Sequence, residues 1–130
     1  MRKRANEYLF SELSGRILSS AIRVHRTLGP GLLENAYRAC LVRQLALDGL
    51  GCEDEVAVAV NYQGIEVADA YRADIIVERS ILLELKAVER LSRVREAQVL
   101  TYLRLSGIRV GLLLNFNVAR LKDGIRRFIV

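Results

Sequence analysis

The sequence predicts an α/β protein whose elements follow the order ααβββαββ. Apolar residues recur at steps of three and four in three segments, which is the spacing of amphipathic helices. In five other segments they alternate with polar residues or form dense runs, which is typical of strands. The length of 130 residues and the hydrophobic content of 52% suit one domain with its own core, so we expect a single domain over residues 1–130.

Three segments have helical spacing. The first covers residues 6–28 and must end at LGPGLLE, because Pro30 disfavours helical geometry in the residue before it. The second covers residues 33–48 and is closed by GLG. The third covers residues 92–106, with Ser92 as its predicted N-cap.

Five segments have the pattern of strands. EVAVAVNY at residues 55–62 alternates, QG forms a tight turn, and residues 65–78 resume the pattern, which together predict a hairpin. Residues 80–88 are dense in apolar side chains, as expected of a central strand covered on both faces. Residues 108–116 form a strongly apolar strand, and residues 124–130 add a short last one.

The composition argues against several classes of protein. No apolar run approaches the roughly 18 to 20 residues of a membrane helix, and the basic start MRKRANEYLFSEL lacks the apolar stretch of a signal peptide. We therefore expect a soluble cytoplasmic protein with no membrane partner. Cys40 and Cys52 lack CxxC spacing and a second pair, so we expect two free thiols and neither a disulfide framework nor a zinc site. Cys40 lies among aliphatic residues, which predicts a buried small hydrophobe.

Charge is segregated along the chain. The net charge is +4 over residues 1–26, −5 over residues 27–90 and +6 over residues 91–130. Basic ends can steer a polyanion toward the molecule, although solvated faces that aid solubility explain the same pattern. The basic side chains nearest the end are Arg120, Lys122, Arg126 and Arg127.

Charged residues also interrupt the apolar run ADIIVERSILLELKAV at residues 73–88. Glu84 and Lys86 lie two positions apart on one predicted strand, so their side chains point to the same face. A short connection between the two strands would bring Asp74 close to Glu84. Two carboxylates at that distance raise one pKa or form a site for a hard divalent cation such as Mg²⁺. Taken alone, Glu-x-Lys on a strand more often forms a structural ion pair.

The spacing of these residues is similar to that of a known group of enzymes. Asp74, nine intervening residues, the Glu84-Leu85-Lys86 run and the helical Gln98 resemble the layout of the PD-(D/E)XK nuclease superfamily. GLLENAY at residues 31–37 also matches the GxxExxY signature of a bacterial family within it. The resemblance extends through VHRTLGPGLLENAY, YRADIIV, LLELKAV, QVLTYL, GLLLNF and GIRRFIV. It implies a restriction-endonuclease-like fold, with a mixed central β-sheet flanked by helices.

The resemblance also implies roles for individual residues. Lys86 would be the catalytic base or would stabilise charge, and Gln98 would reach toward the site from its helix. The bound metal would be Mg²⁺ or Mn²⁺. The implied metal ligands are Asp74, Glu84, Leu85 through its backbone carbonyl, and Glu34.

The chain departs from the superfamily pattern at two places. Ala73 stands where the superfamily name has Pro, at a position that does not touch the metal. Arg95 stands where many relatives have His, so a proton-transfer role of that His does not transfer; a phosphate contact by Arg95 remains open. Asn115 and Phe116 match the end of a family strand, and the sequence assigns them no chemical role.

Several of these residues have a structural interpretation as well. Glu34 falls in the first turn of a helix, where a carboxylate meets the helix dipole favourably. Gln98 lies one turn before Tyr102 and could satisfy its hydroxyl. Tyr37 is expected in the core, with a partner for its hydroxyl. His25, near a helix end, either caps carbonyl groups or contacts the active site.

Two functions are consistent with these features. One is a metal-dependent nuclease that hydrolyses phosphodiester bonds in DNA or RNA. The other is a non-catalytic nucleic-acid-binding or protein-assembly module that retains the nuclease fold. The intact set of Asp74, Glu84 and Lys86 favours the nuclease. A domain of this size would need a homodimer or another partner to hold a substrate.

Overall fold

The computed structural model describes residues 9–130. The predicted start of the first helix at residue 6 lies outside these residues, and residues 9–10 form a turn. The helices are α1 (Ser11–Leu28), α2 (Glu34–Leu47) and α3 (Arg93–Ser106). The strands are β1 (Cys52–Tyr62), β2 (Ile65–Val77), β3 (Ile81–Lys86), β4 (Val110–Asn115) and β5 (Ile125–Ile129). The α/β class and the order ααβββαββ are confirmed, with one short 3₁₀ helix, Leu121–Gly124, that no periodicity predicts.

The strands form one mixed sheet in the order β1-β2-β3-β4-β5. All neighbours are antiparallel except β3 and β4, which run parallel and place Lys86 beside Asn115. Residues 81–85 of β3 are all buried, as expected of a central strand covered on both faces. This mixed sheet flanked by helices is consistent with the predicted restriction-endonuclease-like fold.

A separate hydrophobic cluster covers each face of the sheet. Leu83 and Leu85 pack with the buried residues of α1 and α2, whereas Leu82 packs with those of α3. Gly111 lets α3 approach β4 closely, because a Cβ there would lie 3.0 Å from a methyl carbon of Val99. We refer below to the α1–α2 face and the α3 face.

The local expectations about polar groups are mostly met. Ser92 caps α3 by accepting a hydrogen bond from the Arg95 N–H at 3.2 Å. Tyr37 is fully buried, and its hydroxyl donates to the Gly29 carbonyl at 2.6 Å and accepts from the Leu32 N–H at 3.1 Å.

The expectation for Cys40 is wrong. Both cysteines are free thiols, but Cys40 is exposed and Cys52 half-buried. The buried stripe of α2 passes through Tyr37, Leu41 and Leu45, so Cys40 falls one position outside it. Every helix within residues 9–130 is too short or too polar to span a lipid bilayer.

Candidate active site

The candidate site lies where the ladder between β2 and β3 ends. The last paired residues are Ile75 and Leu83, and the same register would place Asp74 opposite Glu84. In place of further ladder bonds, the Leu85 N–H donates to Asp74 Oδ2 at 2.7 Å and the Asp74 N–H donates to Glu84 Oε1 at 3.3 Å. The two carboxylates therefore lie side by side, each accepting one backbone hydrogen bond across the strands.

β2 is irregular at Asp74. Ala73 packs on the α3 face and Ile75 on the α1–α2 face, although regular alternation would put them on the same face. Glu55 of β1, which the flanking register places opposite Asp74, has a left-handed φ of 48°. β2 thus changes face at Asp74, as strands do at a bulge.

Burial and mutual repulsion perturb both acids. Glu84 is 5% exposed, and burial followed by the negative charge of Asp74 raises its pKa to about 8. Burial also raises the pKa of Asp74, against the opposing effects of the Leu85 N–H and of the charges on Lys86 and Arg38. A proton or a cation that enters between two such carboxylates relieves their repulsion and is therefore bound favourably.

Lys86 points to the same face as Glu84. Leu83 and Leu85 pack on the α1–α2 face, so strand alternation directs Glu84 and Lys86 toward the α3 face. The positive charge of Lys86 lowers the pKa of both acids. Among residues 9–130 its side chain forms no hydrogen bond or salt bridge within 4 Å, which leaves the amino group available to a ligand.

Glu34 stands farther from the two acids. It is the exposed first residue of α2, and its charge raises the pKa of Asp74. Within the described part of the chain, however, no three His, Cys, Asp or Glu side chains come close enough to hold one metal ion. Arg38, one turn along the same helix, forms a 3.3 Å salt bridge with Glu55 and lowers the pKa of Asp74. The sequence signal for Arg38 is its i+4 spacing from Glu34.

Gln98 lies on the exposed side of α3, one turn before Tyr102. Its side chain forms no hydrogen bond with any residue in the described range. The structural alternative, in which Gln98 satisfies the Tyr102 hydroxyl, therefore finds no support in the structure. Its role toward a substrate stays a prediction.

A stacked pair of tyrosines flanks the carboxylates. Tyr71 lies against Tyr102 with ring centroids 3.8 Å apart and planes at 8°, and its hydroxyl donates to the Tyr102 carbonyl at 2.8 Å. Burial and the charge of Glu84 raise the pKa of Tyr71 to about 12. Burial and the charges of Glu84 and Asp74 also raise the pKa of Tyr102. The sequence points only to Tyr102, because regular alternation would put Tyr71 on the face opposite Asp74.

Asn115 and Phe116 hold the backbone around Lys86. Asn115 is 3% exposed; its Nδ2 donates to the Val88 carbonyl at 2.8 Å and its Oδ1 accepts from the Val88 N–H at 3.0 Å. The Phe116 N–H donates to the Lys86 carbonyl at 2.8 Å, and its ring stacks on Tyr37 at 4.5 Å. Both residues therefore have a positioning role that their place in the sequence does not reveal.

His25 caps carbonyl groups, as one of its two interpretations predicts, but not those of its own helix. Its Nε2 lies 3.1 Å from the Phe116 oxygen and 2.9 Å from the Val118 oxygen. Since both partners are acceptors, Nε2 carries the proton and ties α1 to the segment after β4.

Comparisons with known proteins agree with this geometry. Neither the curated proteins nor the solved structures include a match to the chain. A family model of the PD-(D/E)XK nuclease superfamily matches residues 11–128, which contain β1 to β4, all of β5 except its last residue, and all the side chains of the candidate site. The chain therefore belongs to the PD-(D/E)XK nuclease superfamily.

Proposed function

We propose that this protein is a metal-dependent nuclease that hydrolyses phosphodiester bonds in DNA or RNA. The observation that carries the proposal is the adjacency of Asp74 and Glu84, with the amino group of Lys86, which has no partner among residues 9–130, on the same face. A nuclease-like function is what the superfamily suggests; the activity and the choice of substrate are our proposal.

The donors at this site suit a hard divalent cation. PD-(D/E)XK nucleases generally use divalent metals. Carboxylate oxygens of Asp74 and Glu84 are ligands that Mg²⁺ and Mn²⁺ prefer, and the Leu85 carbonyl and Glu34 are the further ligands that the proposal includes. When bound, the ion supplies Lewis-acid stabilisation of phosphate charge and a more acidic water.

The protein's own residues supply positioning and charge. The Leu85 N–H fixes the orientation of the Asp74 carboxylate, and the Asp74 N–H fixes that of Glu84. Lys86 would orient the attacking water or stabilise the charge that develops on the phosphate. Gln98 would approach the substrate from α3. Arg95, half-buried in the first turn of the same helix, would contact a phosphate.

The finer assignments belong to the same proposal. GLLENAY supports membership of the bacterial GxxExxY family. We propose a single domain that works in the cytoplasm. A homodimer would enlarge a small substrate-binding surface, and the hairpin tip exposes Tyr62, Ile65 and Val67 to a second copy. Light scattering, with Ile65→Lys as the disrupting variant, tests this association.

The deciding experiment is a cleavage assay. The protein is incubated with plasmid, single-stranded DNA or RNA in Mg²⁺ or Mn²⁺, alongside Lys86→Ala. The matched control is Arg104→Ala, which removes an exposed cation from the last turn of α3. We expect cleavage by the wild type and the control, and a loss of at least about 100-fold in Lys86→Ala. Cleavage by all three proteins alike would contradict the assigned role of Lys86.

A non-catalytic module is the second candidate. The observation that favours it is the lack, within residues 9–130, of a third side-chain ligand close to Asp74 and Glu84. If every substrate stays intact while a gel shift shows salt-sensitive binding, the module replaces the nuclease as the better assignment.

A further inference from the structure

A groove of about 490 Å³ lies between the end of α1 and the segment after β4. Its charged side chains are Arg26, Arg120 and Lys122, and no carboxylate lines it. All three cations are exposed at the rim, whereas Leu121 at the base is 3% exposed. The groove is therefore concave, apolar at its base and positive around its opening.

Several other arginines of the described residues pair with carboxylates. Arg38 pairs with Glu55 and Arg126 with Glu96. Among residues 9–130, Arg26, Arg120 and Lys122 have no carboxylate within 4 Å and no side-chain hydrogen bond. Three like charges around one depression repel each other, and an anion is the ligand that relieves that repulsion. The partial negative charge at the end of α1, about half an elementary charge, is too small to cancel them.

The walls of the groove are held in place by buried contacts. His25 Nε2 bonds to the carbonyls of Phe116 and Val118, which joins α1 to the segment that carries Arg120 and Lys122. Phe116 is in turn fixed by its stack on Tyr37. A ligand would thus meet a groove that is already formed, without the entropy cost of ordering a loop.

The groove lies near the end of the sheet that carries the candidate active site. The Phe116 N–H donates a hydrogen bond to the Lys86 carbonyl. Residues 119–122, which line the groove, follow Phe116 closely in the chain. Lys86 and Asn115 end the parallel strands β3 and β4, so the groove opens at the same edge of the sheet as the carboxylates. A strand that contacts both places has to pass around this edge of the sheet, because α1 packs on the α1–α2 face whereas Glu84 and Lys86 point toward the α3 face.

We infer that this groove binds backbone phosphates of a polynucleotide at a distance from the bond to be cut. The inference rests on the proposed function for its substrate class. Arg26, Arg120 and Lys122 contact phosphate oxygens, which holds the strand in register without reading its bases. Free mononucleotide or inorganic phosphate has the same chemistry, but lacks the neighbouring phosphates that would reach the carboxylate site.

The test is binding by fluorescence anisotropy in EDTA, where no cleavage occurs, with labelled single-stranded and duplex DNA over a series of salt concentrations. The variant is the double substitution Arg120→Ala and Lys122→Ala. The matched control is Arg79→Ala with Arg104→Ala, two exposed cations outside the groove. We expect the groove variant to bind at least about 10-fold more weakly, and the slope of log K against log[salt] to fall by roughly 1.5 to 2.

Several outcomes would overturn the inference. One is equal affinity and equal salt slope for the groove variant and the control. Another is competition by inorganic phosphate or mononucleotide that matches an oligonucleotide at equal phosphate concentration, because the groove would then hold a small phosphate ligand. Cleavage in Mg²⁺ separates the two proposals. If the wild type cleaves and the groove variant binds as tightly as the wild type, only the groove proposal is overturned. If binding depends on the groove and the wild type does not cleave, only the nuclease proposal is overturned.

Discussion

Replacing Glu84 with Gln should remove a pH-dependent loss of stability from the metal-free protein. The pKa of Glu84 is raised from 4.5 to about 8, so the folded protein holds this proton more tightly than the unfolded chain does. The contribution of Glu84 to the unfolding free energy is therefore largest below pH 4.5 and falls as the pH rises toward 8. The raised pKa of Asp74 acts in the same direction. Above pH 8 the contribution of Glu84 is constant.

The size of this loss in unfolding free energy follows from the difference between the pKa of Glu84 in the unfolded chain and in the folded protein. Each pH unit between the two pKa values costs up to about 1.4 kcal/mol, which sets an upper limit of about 5 kcal/mol. Water can enter beside the half-buried Asp74 and screens part of the repulsion, so we expect about 2 to 3 kcal/mol.

The assay is urea unfolding in EDTA at a series of pH values between 4 and 9. The wild type should lose stability across this range relative to Glu84→Gln, and the exposed control Glu66→Gln should follow the wild type. Parallel curves for the wild type and Glu84→Gln would refute the reasoning, because they would mean that Glu84 ionises in the fold as easily as in water.

Three further predictions follow from the hydrogen bonds of the site and its support. Saturating Mg²⁺ at pH 8 should raise the unfolding free energy of the wild type by about 2 to 3 kcal/mol, and Asp74→Asn should lose most of this gain; equal gains in a thermal melt would exclude Asp74 as a ligand. Asn115→Ala leaves the part-buried Val88 N–H and carbonyl without their partner and should cost about 2 to 3 kcal/mol in urea unfolding. A cost below about 0.5 kcal/mol would mean that water replaces the amide. Tyr37→Phe removes the hydrogen bond to the Gly29 carbonyl but keeps the stack on the Phe116 ring, and should lower the unfolding free energy by about 1 to 2 kcal/mol. An unchanged melting temperature would show that this hydrogen bond does not stabilise the fold.

The order of the elements could be predicted because the spacing of apolar residues within each segment is regular and depends only on neighbouring residues. Residues 92–106 and 108–116 differ clearly in spacing, and both elements were found close to those limits. The adjacency of Asp74 and Glu84 was also predictable, since a short hairpin connection fixes which residues face each other. The roles of these residues in catalysis and metal binding stay predictions.

The remaining features depend on departures from regular geometry. Tyr71 reaches the site only because β2 changes face at Asp74, and alternation alone predicts the opposite face. The aliphatic neighbours of Cys40 predict a position in the core, but a helix buries a stripe of spaced residues and not a continuous run, and Cys40 is exposed. Asn115 positions Val88 through contacts between segments 27 residues apart, which no local pattern encodes.

The two acids serve the fold and the proposed chemistry with the same atoms, which decides how the site has to be tested. Asp74 Oδ2 accepts the Leu85 N–H in a region where the strand ladder has ended, so an alanine there leaves a part-buried donor without a partner. That loss costs about 1 to 3 kcal/mol whether or not a metal binds. A drop in activity of Asp74→Ala therefore cannot separate damage to the strand pair from loss of a ligand. Asp74→Asn keeps an oxygen for the Leu85 N–H and removes only the charge. If Asp74→Asn folds as stably as the wild type in EDTA and yet fails to gain stability from Mg²⁺, the carboxylate charge itself binds the ion.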